Sequence, residues 1–446
     1  MTNSIYEVRP VRKPHDICTS VPGSKSITNR ALLIAALAQG RSVLHGVLFS
    51  DDSRYFMKAL QDLGFPVEID EAAATVTIEG FGGEIPCSKN TKSEIVDNSV
   101  VGNMQEVDAS IYVGSAGTAA RFLTAFLGLS KGMYRMTSSK QMKKRPMKEL
   151  LIALESIGTK VIYEEEPYHF PFVIGGFEWN GNSVLVDVEK SSQFLSAFLI
   201  SSVLLPEGFT IDVVGSHGMA YVNMTLKMME QFGVSVETTK TGYQALLHKD
   251  YEAKDYQIEP DLSAACYFYA LSPLLKVSAQ VKGVYFDSLQ GDIQFLHVLD
   301  EMGCELVEEE TGVKVLPPRE EFVGGTFDLS SFSDQTLTLA AIAPFASSKV
   351  CIMNVGHIRY QECDRMEAIL RNLKAMGIAV ICEDGNLFIL PGVPHGCEIE
   401  TYEDHRVAMA FSLPGVLTEG IKILDPLCTR KTFENYFTVF EEAVYV

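Results

Sequence analysis

The chain has 446 residues, of which 47% are hydrophobic and 21% charged, and its mean hydropathy is +0.11. This length predicts two or three domains, and the apolar content argues against a largely disordered chain. The net charge of −20 argues against non-specific binding to nucleic acid or to an anionic membrane. If the substrates are anions, the cations that bind them must be concentrated locally.

The N-terminus lacks the apolar stretch of a signal peptide, and no apolar run approaches the roughly 18 residues of a membrane span. We therefore expect a cytoplasmic protein without a membrane partner. Nine cysteines are scattered along the chain without a C-x-x-C pair, as is typical of buried thiols in a reducing compartment. We find no metal-ligand pattern, so we expect neither a metal nor a cofactor.

The first motif with functional potential is the loop at residues 22–30, Pro-Gly-Ser-Lys-Ser-Ile-Thr-Asn-Arg, which leads into an apolar stretch. Its hydroxyl groups can cap a helix, while Lys25 and Arg30 bring positive charge to the helix N-terminus. This pattern is typical of an anion site, but an ordinary capped helix with solvated cations fits it equally well. A P-loop does not fit, because Ser24 separates the glycine from the lysine and Cys18 stands at the first glycine position.

Internal repeats follow along the whole chain. Five helix-like segments end in an apolar residue and a glycine before an alternating strand, and such a glycine is typical of a helix end. These glycines are Gly64, Gly158, Gly233, Gly303 and Gly377. Six polar loops lead into apolar helices. The loops begin at Ser24, Ser115, Lys190, Pro260, Ser333 and Glu403.

Helices that are apolar on all sides are buried in a soluble protein. Each repeat is therefore predicted to place one helix inside and its strands outside, which gives an α/β repeat fold with three repeats per domain. We expect a discontinuous first domain of residues 1–22 and 260–446, and a second domain of residues 23–259. The loops at the N-termini of the buried helices would point the same way, so several positive helix ends can face one cleft between the domains.

Charged side chains recur in the polar loops and in residues 141–146, 359–365 and 427–432. Asp334 and Glu362 are the carboxylates expected to share the cleft with these cations. A carboxylate among cations is a natural proton acceptor from a hydroxyl group. The structural alternatives are an N-cap role for Asp334 and a solvated surface for the Lys-Lys-Arg run.

Seven separated motifs then carry a family resemblance. They lie at residues 22–32, 117–121, 145–146, 191–195, 362–365, 404–409 and 425–437. In this order they closely resemble the signatures of the 5-enolpyruvylshikimate-3-phosphate synthase family within the enolpyruvyl transferase superfamily. The resemblance implies two domains, each of three βαβαββ repeats with buried helices, in an inside-out α/β barrel.

The resemblance also implies a transferase of the shikimate pathway, which leads to chorismate and the aromatic amino acids. It would transfer the enolpyruvyl group of phosphoenolpyruvate to the 5-hydroxyl of shikimate 3-phosphate by addition and elimination, releasing phosphate. The implied catalytic residues are Lys25, Asp334, Glu362 and His405. Shikimate 3-phosphate would be bound by Lys25, Ser26, Arg30, Ser191, Ser192, Gln193, Asp334, His357 and Gln361. Phosphoenolpyruvate would be bound by Lys25, Gly117, Arg145, Gln193, Arg365, Arg406 and Lys431.

Of the catalytic residues, we assign Asp334 to the acceptor hydroxyl and Glu362 with Lys25 to proton transfer at carbon and oxygen. The retained Gly117 implies that glyphosate inhibits the enzyme in competition with phosphoenolpyruvate. We expect a monomer whose partners are these small anions.

The chain departs from the family pattern around the acceptor phosphate. His357 stands in place of the usual asparagine, Gln361 in place of a lysine, and residues 218–221 in place of a Ser-Arg/Lys-Pro-Tyr segment. Phe122 also stands where the family often has proline. Loss of a buried cation opposite a dianion is costly unless another group replaces it. The candidate replacements are Lys190, His217 and His357.

Three alternatives stay open at this point. The enzyme could use another acceptor, such as unphosphorylated shikimate or a related cyclitol. It could belong to the sister family that acts on UDP-N-acetylglucosamine, although Lys140 occupies the position of that family's reactive cysteine. It could also be a ligand-binding relative without activity, although retention of the charged motif residues argues against this.

Overall fold

The computed structural model describes residues 5–89, 94–98, 103–216, 218–245 and 250–445. Its helices are, in chain order, α1 (Lys25–Leu37), α2 (Asp51–Asp62), α3 (Gly117–Gly128), α4 (Lys140–Lys143), α5 (Lys148–Ser156), α6 (Gln193–Ile200), α7 (Met219–Gln231), α8 (Leu262–Tyr269), α9 (Leu271–Leu275), α10 (Gln294–Glu301), α11 (Thr336–Ile342), α12 (Arg365–Ala375), α13 (His405–Ala410) and α14 (Tyr436–Val444).

Its strands are, in chain order, β1 (Ile5–Val8), β2 (Ile17–Thr19), β3 (Gln39–His45), β4 (Val67–Asp70), β5 (Thr75–Phe81), β6 (Glu94–Asn98), β7 (Asn103–Val107), β8 (Ala109–Tyr112), β9 (Met133–Thr137), β10 (Lys160–Tyr163), β11 (Phe172–Gly175), β12 (Ser183–Asp187), β13 (Thr210–Val214), β14 (Val236–Thr238), β15 (Gly242–Ala245), β16 (Asp255–Gln257), β17 (Ala279–Val281), β18 (Glu305–Glu309), β19 (Gly312–Leu316), β20 (Thr326–Asp328), β21 (Val350–Met353), β22 (Val380–Glu383), β23 (Asn386–Ile389), β24 (Glu398–Ile399) and β25 (Ile421–Leu424).

The chain divides into two compact units. Unit 1 comprises Met1–Ser24 and Glu259–Val446, and unit 2 comprises Lys25–Ile258. Unit 2 is thus an insertion that starts with the first residue of α1 and ends directly after β16.

Unit 2 carries three four-stranded sheets, with strand orders β16-β3-β5-β4, β10-β11-β9-β8 and β12-β13-β15-β14. Each sheet has one pair of parallel strands at one edge. The other two strands form an antiparallel hairpin, which pairs in antiparallel fashion with the inner strand of that pair. The first repeat takes its opening strand from the far end of the unit, because β16 pairs in parallel with β3, Asp255 opposite Val43. An additional hairpin joins β6 and β7.

Unit 1 repeats this plan around its own core. Two four-stranded sheets have the orders β18-β19-β17-β2 and β20-β21-β23-β22, and a three-stranded sheet has the order β1-β25-β24. Strand β2 lies before the insertion but pairs in parallel with β17, which lies after it. Strand β1 closes the last sheet by antiparallel pairing with β25, Ile5 opposite Leu424. The two chain crossings therefore interrupt repeats without breaking their sheets.

The core of each unit is built on three helices, α1, α3 and α6 in unit 2 and α8, α11 and α13 in unit 1. Every residue of α3 and of α8 is buried, which confirms the prediction of helices that are apolar on all sides. The five helix-ending glycines all have positive φ, as predicted for the residue after a helix. The α/β repeat fold with buried helices is confirmed. No described helix combines the length and the apolar character that crossing a membrane needs.

Candidate functional site

The predicted site residues, together with Arg121 and Asp404, fall into two clusters, most of whose members lie in or next to polar loops. The unit 2 cluster consists of Lys25, Ser26, Arg30, Gly117, Arg121, Arg145, Ser191, Ser192 and Gln193. The unit 1 cluster consists of Asp334, His357, Gln361, Glu362, Arg365, Asp404, His405, Arg406 and Lys431. Each cluster lies within one compact unit.

Arg30 lies on α1, one turn after Ser26, and it is buried. Its guanidinium donates to Thr225 Oγ1 at 2.7 Å, to the Ser26 carbonyl oxygen at 2.9 Å and to the Tyr221 carbonyl oxygen at 3.0 Å. Burial lowers the pKa of Arg30 to about 10. None of these acceptors is a carboxylate, so among the described residues the positive charge of Arg30 lies against neutral groups, and the site favours an anion nearby.

Phe122 lies beneath this arginine. The guanidinium carbon of Arg30 is 5.4 Å from the centre of the Phe122 ring, within the range of a cation–π contact. The contact indicates that the Phe122 ring supports the side chain of Arg30.

Gly117 is the first residue of α3 and contacts Arg145 directly. A Cβ atom at residue 117 would lie 2.4 Å from Arg145 Nη1 and 2.7 Å from Cζ. Arg145 is itself buried, and its Nη1 lies 3.5 Å from the Ser115 carbonyl oxygen. Because no side chain fits between the helix N-terminus and the guanidinium, glycine is required for this arrangement.

Gln193 is held in place by two neighbours from unit 2. Its Oε1 accepts a hydrogen bond from Arg121 Nη1 at 2.5 Å, and its Nε2 donates to Thr118 Oγ1 at 3.1 Å. Arg121 also donates to the Pro146 carbonyl oxygen at 3.1 Å. Arg121 thereby connects the loop of Gln193 with the loop of Arg145, although the sequence gave it no predicted role beyond its place in a motif.

Lys25 is partnered by an acid that the sequence analysis missed. Its Nζ lies 3.9 Å from Oδ2 of Asp52, which is buried in the first turn of α2. Asp and Glu are common in first helical turns, so the sequence gave no signal that separated Asp52 from an ordinary helix start.

Two serines precede Gln193, and the second, Ser192, lies beside the N-terminus of α7. Ser191 Oγ accepts from the Gln193 backbone N–H at 3.3 Å. A Cβ atom at Gly218 would lie 2.6 Å from Ser192 Oγ. Gly218, one of the departures from the family pattern, therefore allows close approach between Ser192 and the N-terminus of α7.

Two of the three candidate replacements for the missing cation can be placed directly. Lys190 is 47% exposed and its Nζ pairs with Glu149 Oε1 at 2.8 Å. His357 is partly buried within the short 3-10 helix Gly356–Tyr360. The third, His217, lies outside the described residues.

Arg365 is the hub of the unit 1 cluster and is 1% exposed. Its guanidinium donates to Asp334 Oδ1 at 2.9 Å, to Glu362 Oε2 at 2.9 Å and to Asp404 Oδ2 at 2.8 Å. Burial lowers the pKa of Arg365, but these three carboxylates outweigh that effect and raise it above its ordinary value. Arg365 therefore stays charged, and it fixes two of the predicted catalytic carboxylates.

Asp404 caps α13 and is fully buried. Its Oδ1 accepts from the Arg406 backbone N–H at 2.9 Å, and its Oδ2 accepts from Cys363 Sγ at 3.5 Å. The ring of the buried His405 lies next to it, with Nδ1 3.7 Å from Asp404 Oδ1. Asp404 was not among the predicted site residues, although a motif contained it.

Asp334 lies in the short 3-10 helix Ser333–Gln335 that precedes α11. Its Oδ2 is 2.7 Å from Arg406 Nη2, while its Oδ1 binds Arg365. The alternative prediction of a simple N-cap does not describe this carboxylate, because it is clamped between two guanidinium groups.

Glu362 and Lys431 meet on the other side of Arg365. Lys431 Nζ lies 3.6 Å from Glu362 Oε1, and both side chains are largely buried. Gln361, the residue found in place of the family's lysine, contacts Arg365 Nη1 through its Oε1. The amide thus faces the same guanidinium as the carboxylates.

The two clusters differ in charge. In the unit 2 cluster, cations outnumber the nearby acid Asp52, and Arg30 lies against neutral acceptors. In the unit 1 cluster, each cation contacts a carboxylate. The first arrangement favours binding of an anion. The second places proton acceptors among cations, which suits proton transfer coupled to development of negative charge on a substrate. Within the described residues, no group of three or more His, Cys, Asp or Glu side chains is arranged to hold a metal ion.

A family profile described as "EPSP synthase (3-phosphoshikimate 1-carboxyvinyltransferase)" matches residues 15–92 and 81–440. The chain belongs to the EPSP synthase family. The family membership inferred from the motifs is thereby confirmed.

Full-length relatives agree with this membership. The chain is 40% identical over 432 residues to the 3-phosphoshikimate 1-carboxyvinyltransferase of Trichormus variabilis, covering 96% of this chain and 97% of that one. It is 36% identical over 441 residues to the 3-phosphoshikimate 1-carboxyvinyltransferase 2 of Halalkalibacterium halodurans, covering 98% and 94% of the two chains.

A solved EPSP synthase from Acinetobacter baumannii superposes with a TM-score of 0.79 at 22% identity, covering 99% of this chain and 98% of that one. This agreement confirms the predicted fold class. Neither the sister family nor a chain with a different architecture is favoured by these similarities.

Proposed function

We propose that the chain transfers the enolpyruvyl group of phosphoenolpyruvate to the 5-hydroxyl of shikimate 3-phosphate and releases phosphate. The observation that carries this proposal is the carboxylate of Asp334 clamped between Arg365 and Arg406. It combines a proton acceptor with two cations, as the addition of a hydroxyl to an anionic enol phosphate requires. The relatives' printed name, which specifies a 3-phosphoshikimate acceptor, supports the same activity.

We further propose that residues of both clusters take part in this reaction. The unit 2 cluster would contribute Lys25, Ser26, Arg30, Ser191, Ser192 and Gln193 to the acceptor, and Gly117 and Arg145 to phosphoenolpyruvate. The buried charge of Arg30, which lies against neutral acceptors, supports its assignment to an anionic group of the acceptor.

The proposed reaction begins with addition. Asp334 takes the proton of the 5-hydroxyl group while the hydroxyl oxygen attacks C2 of phosphoenolpyruvate. The double bond between C2 and C3 opens, and C3 is protonated. Glu362 and Lys25 are the proposed groups for proton transfer at carbon and oxygen. The cationic character that develops at C2 is stabilised by nearby carboxylates.

Elimination completes the reaction. The C–O bond to phosphate breaks, a proton leaves C3 and the double bond re-forms in the enol ether product. Arg365, Arg406 and Lys431 would stabilise the departing phosphate, with His405 held beside them by Asp404. Since these cations contact carboxylates of the protein, the proposal requires that they share their hydrogen bonds with the incoming anions.

The acceptor proposed here is the phosphorylated one. Gln361 can donate a hydrogen bond through its amide but brings no charge, so the phosphate must be compensated mainly by other groups. His357, Lys190 and the approach of Ser192 to the N-terminus of α7 are the proposed contributors. The unphosphorylated alternative is not favoured, because the relatives share a name that specifies the phosphate.

The test incubates the protein with phosphoenolpyruvate and one acceptor at a time, either shikimate 3-phosphate, shikimate or UDP-N-acetylglucosamine, and follows phosphate release. We expect release with shikimate 3-phosphate alone. Asp334→Asn should lower kcat by orders of magnitude, whereas Asp300→Asn, a matched change on the exposed face of α10, should leave it unchanged. Release only with shikimate would contradict the proposed acceptor, and an unchanged rate in Asp334→Asn would remove that residue from the mechanism.

The monomeric state and the cytoplasmic location expected from the sequence remain predictions. Sedimentation of the purified protein with and without both substrates measures the first, and a labelled full-length chain in cells measures the second.

A further inference from the structure

Asp292 is hydrogen-bonded to Gln335, the residue after Asp334, and has no part in the proposed reaction. It belongs to the short 3-10 helix Gly291–Ile293 and is 2% exposed. Its Oδ1 accepts two hydrogen bonds, from Gln335 Nε2 at 2.6 Å and from Ser263 Oγ at 3.0 Å. Within the part of the chain that the structure describes, both donors to this buried carboxylate are neutral, which needs an explanation because its burial is costly.

The first of these bonds fixes the residue that follows Asp334. Gln335 is fully buried, and its Oε1 accepts from Thr338 Oγ1 at 2.9 Å. Its side chain therefore connects Asp292 to α11. Through Gln335, the carboxylate of Asp292 determines how the short helix that carries Asp334 sits on the core.

The second connection is electrostatic. Burial, and after it the charge of Asp334, raise the pKa of Asp292 to about 6, although Arg406 opposes the shift. Coupling between two titrating groups is reciprocal. A charged Asp292 therefore increases the proton affinity of Asp334.

The other groups that face Asp292 do not replace this effect. Asp261, the N-cap of α8, carries the same sign of charge and acts on Asp292 in the same direction as Asp334. Cys266 approaches the Asp292 carbonyl oxygen with its Sγ at 3.8 Å, and burial raises the pKa of this thiol well above its ordinary value, so it stays neutral.

The two guanidinium groups on Asp334 have the opposite influence, because cations stabilise the charged form of a carboxylate and weaken it as a base. A base for a hydroxyl group works best when its proton affinity is not strongly depressed. We propose that Asp292 is a positioning residue that keeps Asp334 basic: its buried negative charge counters Arg365 and Arg406, and its bond to Gln335 fixes the direction of the Asp334 carboxylate. This inference rests on the proposed role of Asp334 as proton acceptor.

The test is Asp292→Asn, which retains an oxygen for Gln335 but removes the charge. We expect kcat at pH 7 to fall by up to about tenfold, the limit that a change of about one pKa unit in the base sets on the rate. The acid limb of the kcat profile should move to lower pH, and KM for phosphoenolpyruvate should change little. Asp300→Asn is the matched control and should leave the profile unchanged.

A loss of kcat without a shift of the acid limb would reduce Asp292 to a structural residue and overturn the inference, as would an unchanged profile. The proposed function is tested separately by Asp334→Asn, which should abolish the acid limb altogether. If the limb persists in Asp334→Asn, the proposed base is wrong, irrespective of what Asp292 does.

Ser263→Ala gives a second route should Asp292→Asn fail to fold. It removes a hydrogen bond that stabilises the charged form of Asp292, so Asp292 stays protonated to a higher pH. We expect kcat to fall below about pH 7, near the region in which Asp292 titrates, and to return to the wild-type value at pH 8. An unchanged kcat throughout this range would contradict the inference.

Discussion

Arg365 and Asp404 are joined by two hydrogen bonds, from Nε at 2.8 Å and from Nη2 at 3.3 Å, with the side chains 1% and 0% exposed. The carboxylate also caps α13, while the guanidinium holds Asp334 and Glu362. This pair therefore links the helix that carries His405 and Arg406 to the carboxylates of the unit 1 cluster.

We expect Asp404→Asn to lower the free energy of unfolding of unit 1 by about 3 kcal/mol, since removing one partner of a buried ion pair leaves the other charge less compensated. Asparagine remains a good helix cap, so the loss reports mainly on the charge. The measurement is equilibrium unfolding in urea, monitored by probes in each unit.

An exposed ion pair on the same helix, α12, provides the contrast. Arg371 Nε lies 2.6 Å from Glu367 Oε1, and both side chains are exposed. Glu367→Gln should change stability by less than about 0.5 kcal/mol. Equal losses in the two variants would contradict the assignment of a special role to the Arg365–Asp404 pair.

The titration of Asp292 should contribute to the pH dependence of the free energy of unfolding. Its folded-state pKa of about 6 lies above its ordinary value of 3.8, so folding favours the protonated form. Its contribution is fully present below the ordinary pKa and is lost as the pH rises through about 6, a loss of about 3 kcal/mol. In Asp292→Asn, the stability curve between pH 4 and pH 7 should be flatter than in the wild type. Parallel curves from thermal or urea unfolding would show that Asp292 is not the group responsible.

Gly117→Ala should disturb the binding of phosphoenolpyruvate. The new Cβ would lie 2.4 Å from Arg145 Nη1, so the guanidinium must move. We expect KM for phosphoenolpyruvate to rise by about tenfold or more, because a buried charge-assisted contact contributes about 1.5–3 kcal/mol. KM for shikimate 3-phosphate should change much less, and steady-state kinetics with each substrate varied in turn distinguishes the two effects.

Arg145→Lys supplies the control for this clash. Lysine keeps the charge but lacks the planar guanidinium, so adding Gly117→Ala to Arg145→Lys should have a smaller effect than in the wild type. If the two substitutions are additive, the effect of residue 117 does not act through Arg145.

Glyphosate, which the retained Gly117 leads us to expect as an inhibitor, should compete with phosphoenolpyruvate. In Gly117→Ala its inhibition constant should rise together with KM for phosphoenolpyruvate, because both anions would rely on the displaced Arg145. Insensitivity of the wild type, or non-competitive inhibition, would contradict this expectation.

Phe122→Leu should instead weaken the binding of shikimate 3-phosphate. It removes the ring beneath Arg30, and a cation–π contact of about 0.5–2 kcal/mol predicts a rise of KM for shikimate 3-phosphate between about twofold and thirtyfold. KM for phosphoenolpyruvate should stay close to the wild-type value.

Phe126→Leu is the matched control for Phe122→Leu, since Phe126 is equally buried on α3 and lies 6.3 Å from the ring of Phe65, centre to centre. Both variants should lose similar stability, but only the first should change KM for the acceptor. A parallel change in both would indicate general loosening of α3.

Much of the site could be predicted from motifs, because residues such as Lys25, Arg145 and Arg406 lie in or next to loops whose polar composition contrasts with the apolar helices after them. The partners of these residues could not. Asp52 lies in the first turn of α2 and Asp292 in a short 3-10 helix, and acids are common at helix starts for local reasons. Ser263, Gln335 and Asp292 are separated by tens of residues along the chain.

The sequence by itself determined the repeats, the buried helices and the family, since hydrophobic periodicity, helix-ending glycines and motif order are local properties that each segment carries alone. Only the tertiary structure decided which charges meet. It showed that Arg365 donates to three carboxylates and that the Phe122 ring packs against Arg30. It also showed that Asp292 is hydrogen-bonded to the residue after Asp334. The reason is physical: ion-pair geometry, burial and the coupling between titrating groups depend on distances between segments remote in sequence, and folding alone sets those distances.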